Sequence, residues 1–131
     1  MNQNLDTARA ALAAYSAGDV EATARAFSPD AKIYGPLSEG GFETVEWSER
    51  GGLGAYVEQI ARSWRLESYE VMNLSAEGDW VTAFIRVAAA HWKTGKRFDT
   101  IFVAVMRFAG GLVVEHHEIV DVAQLRAAAV K

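Results

Sequence analysis

Four consecutive residues near the C-terminus, Glu115, His116, His117 and Glu118, are of the types best able to move protons. A carboxylate can accept a proton, and an imidazole can gain or lose one near neutral pH. The four lie in Val113-Val114-Glu115-His116-His117-Glu118-Ile119-Val120, whose apolar flanks suit a strand. Side chains alternate across a strand, so His116 shares a face with Glu118, and Glu115 shares the other with His117. Each face holds one carboxylate and one imidazole, so polarity alone does not say which pair looks inward. A carboxylate turned into an apolar interior loses hydration, its charged form is disfavoured, and it becomes a better base. General-base chemistry is therefore what this residue set allows. A metal site needs three converging ligands. His116, Glu118 and His91 could meet only across strands, so no metal is expected. The chain has no cysteine, which excludes thiol and iron–sulfur chemistry.

The strand belongs to a longer run, Ser68 to Asp121, that reads as four strands joined by three tight turns. The turns are Glu77-Gly78-Asp79, Lys93-Thr94-Gly95-Lys96 and Ala109-Gly110-Gly111. Short links force antiparallel neighbours, so a meander is expected. Ahead of it, Leu5, Ala8, Leu12 and Tyr15 form one stripe of a helix over Asn4–Ala17, with Asn4 as cap and Gly18 as stop. Asp19 caps a second, shorter helix with Val20, Ala24 and Phe27 on one face, ended by Pro29. Ala31–Tyr34 reads as a short strand closed by Gly35-Pro36. The glycine-rich stretch Leu37–Gly52 reads as a small hairpin or flap, and it lacks the Gly-Lys-Ser/Thr of a phosphate loop. Leu53, Tyr56, Val57, Ile60, Ala61 and Trp64 make a broad helical stripe over Leu53–Trp64. Asp121 suits the cap of a short C-terminal turn holding Leu125. Helical stripes packed on one face of such a sheet define an α+β fold, a curved antiparallel sheet with a pocket on its concave side.

In Trp80–Trp92 the set Val81, Ala83, Ile85, Val87, Ala89 and His91 is small and uncharged until its end, so it should face inward. In Arg97–Phe108 the inward set is Phe98, Thr100, Phe102, Ala104, Met106 and Phe108, because the other set has charges at both ends. Trp64, Ile85, Val87, Phe102 and Met106 are the apolar candidates for a ligand wall. His91 falls at the rim. The opposite face carries Trp80, Phe84 and Trp92, too aromatic to be left in water, and a second subunit covering it is the simplest remedy.

With these elements in place, the chain resembles the NTF2-like superfamily, and within it the SnoaL-like polyketide-cyclase branch related to ketosteroid isomerases. The resemblance is carried by Gly110-Gly111-Leu112-Val113-Val114-Glu115-His116-His117-Glu118-Ile119-Val120-Asp121. Family members carry a pattern close to Asp-Gly-Lys-Ile-Val-Glu-His-Trp-Asp-Val-x-Asp at this place. The resemblance implies a conical fold, in which a curved sheet wraps three helices around an apolar cavity, and a homodimer through the outer sheet face. It also implies that Val114, His116 and Glu118 point inward. In the cyclases the acid matching Glu118 abstracts a proton beside a carbonyl. In the isomerases a first-helix Tyr, near Tyr15 here, donates to the oxyanion. The Arg and Asp that assist a related epoxide hydrolase fall on Ile85 and Val87, so that triad is missing.

Composition sets the outer limits. The chain of 131 residues suits a single domain, 1–131, and half of it is hydrophobic. A net charge of −4 with no basic run argues against nucleic acid. No apolar run reaches the ~20 residues of a membrane span, and the polar N-terminus does not read as a signal peptide, so a cytoplasmic protein is expected. The expected function is an isomerase- or cyclase-type reaction on a small hydrophobic carbonyl compound, with Glu118, His116 and Tyr15 as the chemical groups and no cofactor. The alternatives are a module that binds an apolar ligand unchanged, and a dimerisation domain with a filled cavity.

Overall fold

The computed structural model describes residues 2–131. Helix α1 covers Gln3–Ser16 and α2 Val20–Ala24; strand β1 covers Phe27–Pro36 and β2 Thr44–Glu46. After a 3-10 turn at Ser48–Arg50 come α3 (Gly52–Ser63), β3 (Trp64–Glu77), β4 (Trp80–His91), β5 (Arg97–Ala109), β6 (Leu112–Ile119) and α4 (Val122–Ala129). The meander's three turns stand where the sequence puts them, but its first strand starts at Trp64 and not at Ser68, so Trp64 belongs to β3 and not to the α3 helix. The fold is mixed α+β, with one curved six-stranded sheet ordered β2-β1-β6-β5-β4-β3. One junction departs from the antiparallel expectation: β1 runs parallel to β6. More than half of the chain, residues 37–111, lies between those two strands, which is the long crossover a parallel pair requires.

The inward set of β4 is the floor of the core. Val81, Ala83 and Ile85 are fully buried, and Val87 and Ala89 nearly so. Helices α1 and α3 and the C-terminal α4 lie on the same side of the sheet. Asp19 and Asp121 cap their helices through bonds to the Ala22 and Ala123 amides.

Several local expectations are corrected. The cap of α1 is Asn2, whose Oδ1 accepts the Leu5 amide at 3.1 Å, and not Asn4. Val20 and Ala24 of α2 are exposed, and Thr23 is the buried residue of that helix. Pro29 does not end a helix. It lies within β1, where the register with β6 shifts between Phe27 and Lys32, a place that tolerates a residue without an N–H. Ala61 of α3 is exposed, whereas Gln59 is buried. The Gln59 side chain accepts from the Ser38 amide at 2.6 Å and donates to the Pro36 carbonyl at 3.2 Å, so it is a bracket for the following loop. The C-terminal turn is a full helix that buries Leu125 and Ala128. Among the described residues, no helix is long and apolar enough to cross a membrane.

Candidate functional site

Strand β6 decides the site, and a bulge decides β6. Met106 pairs with His116 and Arg107 with Glu115, but Phe108 pairs with Val113, which leaves Val114 as the extra residue. Simple alternation therefore holds only from Glu115 onward. Val113, not Val114, is the fully buried residue at the strand's start. His116 and Glu118 do turn inward, with side chains only 8% and 16% exposed.

Their Nε2 and Oε1 atoms are 3.4 Å apart, at the long end of a hydrogen bond. The imidazole Nδ1 is buried and has no partner among the described residues. Phe27 lies tilted beside the ring at 5.7 Å. A carboxylate and an imidazole thus share an apolar setting without being saturated by it.

Glu118 stands between two lobes of one hollow. The aromatic lobe, about 60 Å³, has Trp64, Phe98 and Phe102 in its wall. Trp64 meets Phe98 edge-on at 5.0 Å, and Phe98 stacks on Phe102 at 6.0 Å. The imidazole lobe, about 50 Å³, has Phe27, Met106 and His116 in its wall. Tyr15, Tyr56, Ile60, Tyr69 and Glu118 border both. Leu66, 40% exposed, also borders the aromatic lobe.

The three phenols arrive from three elements: Tyr15 from the last turn of α1, Tyr56 from the middle of α3, and Tyr69 from the inward face of β3 opposite Val87. Tyr15 and Tyr69 meet edge-on at 5.2 Å. Burial first, and then the charge of Glu118, pushes Tyr15 up to about 12. The same two causes raise Tyr69, and raise Tyr56 well above the ordinary phenol value. All three therefore stay protonated and remain donors at neutral pH. Among the described residues, none of their hydroxyls is hydrogen-bonded to the protein.

Of the residues singled out from sequence, Glu118, His116, Tyr15, Trp64, Val87, Phe102 and Met106 border the hollow. Ile85 does not: it is fully buried beneath the wall. Val114 does not either, because the bulge turns it away. Tyr56 and Tyr69 are site residues that the sequence does not single out. Tyr56 was visible as a member of the α3 stripe, and Tyr69 would have followed from applying alternation to Ser68-Tyr69-Glu70-Val71. His91 has a turn role, its Nδ1 facing the Lys93 and Thr94 amides at 3.3 and 3.4 Å. Among the described residues, no group of three or more His, Cys, Asp or Glu converges as metal ligands would.

The sequence matches the SnoaL-like domain over residues 8–116. The chain belongs to that family. The match spans α1 through His116 and stops short of Glu118, so membership in itself says nothing of the acid. Solved structures extend the likeness over the whole chain. An NTF2-like protein of unknown function from Burkholderia pseudomallei is 19% identical with a TM-score of 0.82, covering 100% of both chains. IdmH from Streptomyces antibioticus, a proposed polyketide cyclase, is 23% identical with a TM-score of 0.72, covering 97% of this chain and 98% of its own. A protein of ketosteroid isomerase-like fold from Catenulispora acidiphila, solved with trimethylamine, is 13% identical with a TM-score of 0.74, covering 94% of this chain and 91% of its own. At these identities the likeness is one of fold. No curated protein matches the sequence.

Proposed function

We propose that this SnoaL-like protein is an isomerase- or cyclase-type enzyme in which Glu118 is the general base for a small hydrophobic carbonyl compound. One observation carries the reading: a carboxylate only 16% exposed borders both lobes of a mainly apolar and phenolic hollow, with an imidazole at 3.4 Å. The Glu118 carboxylate takes a proton from the carbon beside the carbonyl. The C–H electron pair moves into the new carbon–carbon double bond, and charge collects on the carbonyl oxygen. That oxygen is stabilised by phenolic O–H donors, of which Tyr15 is one. Where a carbon–carbon double bond is conjugated with the enolate, the proton held on Glu118 returns at the far end of that dienolate, which isomerises the compound. Where a second carbonyl is in reach, the enolate carbon attacks it, its π pair moves to oxygen, and the Glu118 proton goes to that alkoxide as the ring closes. His116 orients the carboxyl group and can relay its proton. Trp64, Val87 and Phe102 form the wall for the substrate's apolar body, with Met106 on the imidazole side. The proposed assignment of IdmH as a cyclase supports this reading by analogy of fold.

The test is turnover of a panel of small cyclic enones and diketones. Glu118→Gln should reduce it by about 10²–10⁴, the usual scale for a lost general base. Full turnover in that variant would rule the reading out.

The lobes themselves favour a second reading. At about 60 and 50 Å³ they are far smaller than the roughly 300 Å³ at which ligand pockets of drug size begin. A substrate must be small or must push side chains aside, and a module that holds an apolar molecule unchanged fits the same hollow. Ligand recovered unaltered after long incubation would favour it; multiple turnovers would exclude it.

The outer face supports pairing with a second copy of the chain. Phe84, Val103 and Ile119 lie in one register row across β4, β5 and β6, and Phe84 and Ile119 are 50% and 56% exposed. The Arg86–Asp99 and Arg107–Glu115 pairs lie on the same face, so a two-fold copy meets charges of both signs. Sedimentation of Phe84→Lys as a monomer, against a wild-type dimer, tests this.

A further inference from the structure

Three phenols border the space around Glu118, but they are not held alike. Tyr15 and Tyr69 are partly buried and lean on each other edge-on. Tyr56 is 4% exposed and sits in a cradle built from two other elements. Its ring lies directly on Gly35 of β1. A Cβ placed on Gly35 would stand 2.5 Å from Tyr56 Cζ and 2.6 Å from its Oη. Gly35 is not among the glycines of positive φ, so the fold uses its missing side chain and not its backbone freedom. The Gly35 carbonyl is pinned in turn by the Trp47 indole N–H at 3.1 Å, and the Trp47 ring packs on Tyr56 at 5.3 Å. Ile33 completes this separate small core. The ring is thus boxed in on its Gly35 and Trp47 sides, and Tyr56 borders both lobes.

We infer that Tyr56 is the principal hydrogen-bond donor to the substrate's carbonyl oxygen, and that Gly35 and Trp47 are positioning residues that aim it. The ligand chemistry this selects is an oxygen that gains negative charge, an enolate or phenolate, held beside the carboxyl of Glu118. A fixed donor stabilises such charge without reorganising, which is where preorganised hydrogen bonds contribute most. The assignment rests on the reading of Glu118 as the base.

The probe is 4-nitrophenol, whose phenolate is distinguished from the phenol by its absorbance. Binding is measured in a Glu118→Gln background, where the neutral amide stands for the protonated acid that faces the enolate. Adding Tyr56→Phe should weaken phenolate binding by at least about tenfold, the scale of one hydrogen bond to a charged oxygen. Tyr15→Phe and Tyr69→Phe should each weaken it by less than Tyr56→Phe does. Gly35→Ala should reproduce the Tyr56→Phe loss, and the two together should be no worse than either, because both act through one hydroxyl. If Gly35→Ala does not fold, Trp47→Phe, which removes the N–H that pins Gly35, takes its place in the same comparison. A loss on Tyr15→Phe with none on Tyr56→Phe overturns the assignment and leaves the base reading intact. Additive losses from Gly35→Ala and Tyr56→Phe overturn the positioning role. Failure of every form to bind the phenolate overturns both the donor and the reading it rests on.

Discussion

Strand β6 carries the same two residue types on both of its faces, and the two pairs are held in opposite ways. On the outer face, His117 Nε2 meets Glu115 Oε2 at 2.6 Å, and Arg107 donates to the other carboxylate oxygen at 3.2 Å. Tyr34 stacks flat on the His117 ring at 4.6 Å. The His117 bond first, and Arg107 after burial's opposing effect, hold the Glu115 carboxyl below the usual carboxylate range. On the inner face the matching distance is 3.4 Å, no arginine joins the pair, and His116 Nδ1 has no partner among the described residues. A saturated pair is a structural element, since its lone pairs and protons are spoken for. An unsaturated pair beside a mainly apolar hollow has capacity left for a ligand.

The largest expected effect separates the two carboxylates directly. Glu118→Gln should lower turnover of a responsive carbonyl substrate by about 10²–10⁴, while Glu115→Gln should leave it within about twofold. Equal losses would erase the distinction between the faces. The next effect concerns stability and compares adjacent residues of β4. Ile85 is fully buried and Phe84 is half exposed on the other side. Ile85→Ala should cost about 2–5 kcal/mol in urea unfolding, and Phe84→Ala under about 1 kcal/mol when measured on the monomer.

The two faces should also divide the pH profile of stability. The inner phenols have raised pKa values, so their contribution is complete below pH 10.0, the ordinary phenol value, and is lost as pH climbs toward about 12 at Tyr15. Tyrosinate absorbance from Tyr15, Tyr56 and Tyr69 should therefore appear together with unfolding, and Tyr15→Phe should shrink that step. Glu115 has a lowered pKa, so its contribution is present above 4.5 and is lost as pH falls below it. His117→Phe should flatten the acid limb and leave the alkaline limb in place. The smallest effect is expected at the exposed Arg86–Asp99 pair, where Arg86→Met should leave the melting temperature nearly unchanged.

Much of this architecture is legible in the chain, because local rules act alone there. The glycine turns set the meander, and the alternation from Val81 to Ala89 marks its buried face. Asp19 and Asp121 cap helices as their type suggests. The site is less legible because it depends on non-local fit. Strict alternation puts Val114 inside, and only pairing with Arg107 and Phe108 shows that a bulge swaps it for Val113. The parallel β1–β6 contact depends on where two distant strands meet. The seat of Tyr56 depends on a glycine, Gly35, whose purpose is invisible until the ring lying on it is known. Glu118 was reachable from sequence only through likeness to a family, since Glu115 and His117 offered the same chemistry on the opposite face.

The most direct test of Glu118 as a base does not need the natural substrate. In heavy water, the protein should speed deuterium entry at the carbon beside the carbonyl of a small cyclic ketone, followed by proton magnetic resonance. Acceleration is expected from the wild type and from Glu115→Gln, with its loss in Glu118→Gln. Acceleration that survives in Glu118→Gln would contradict it.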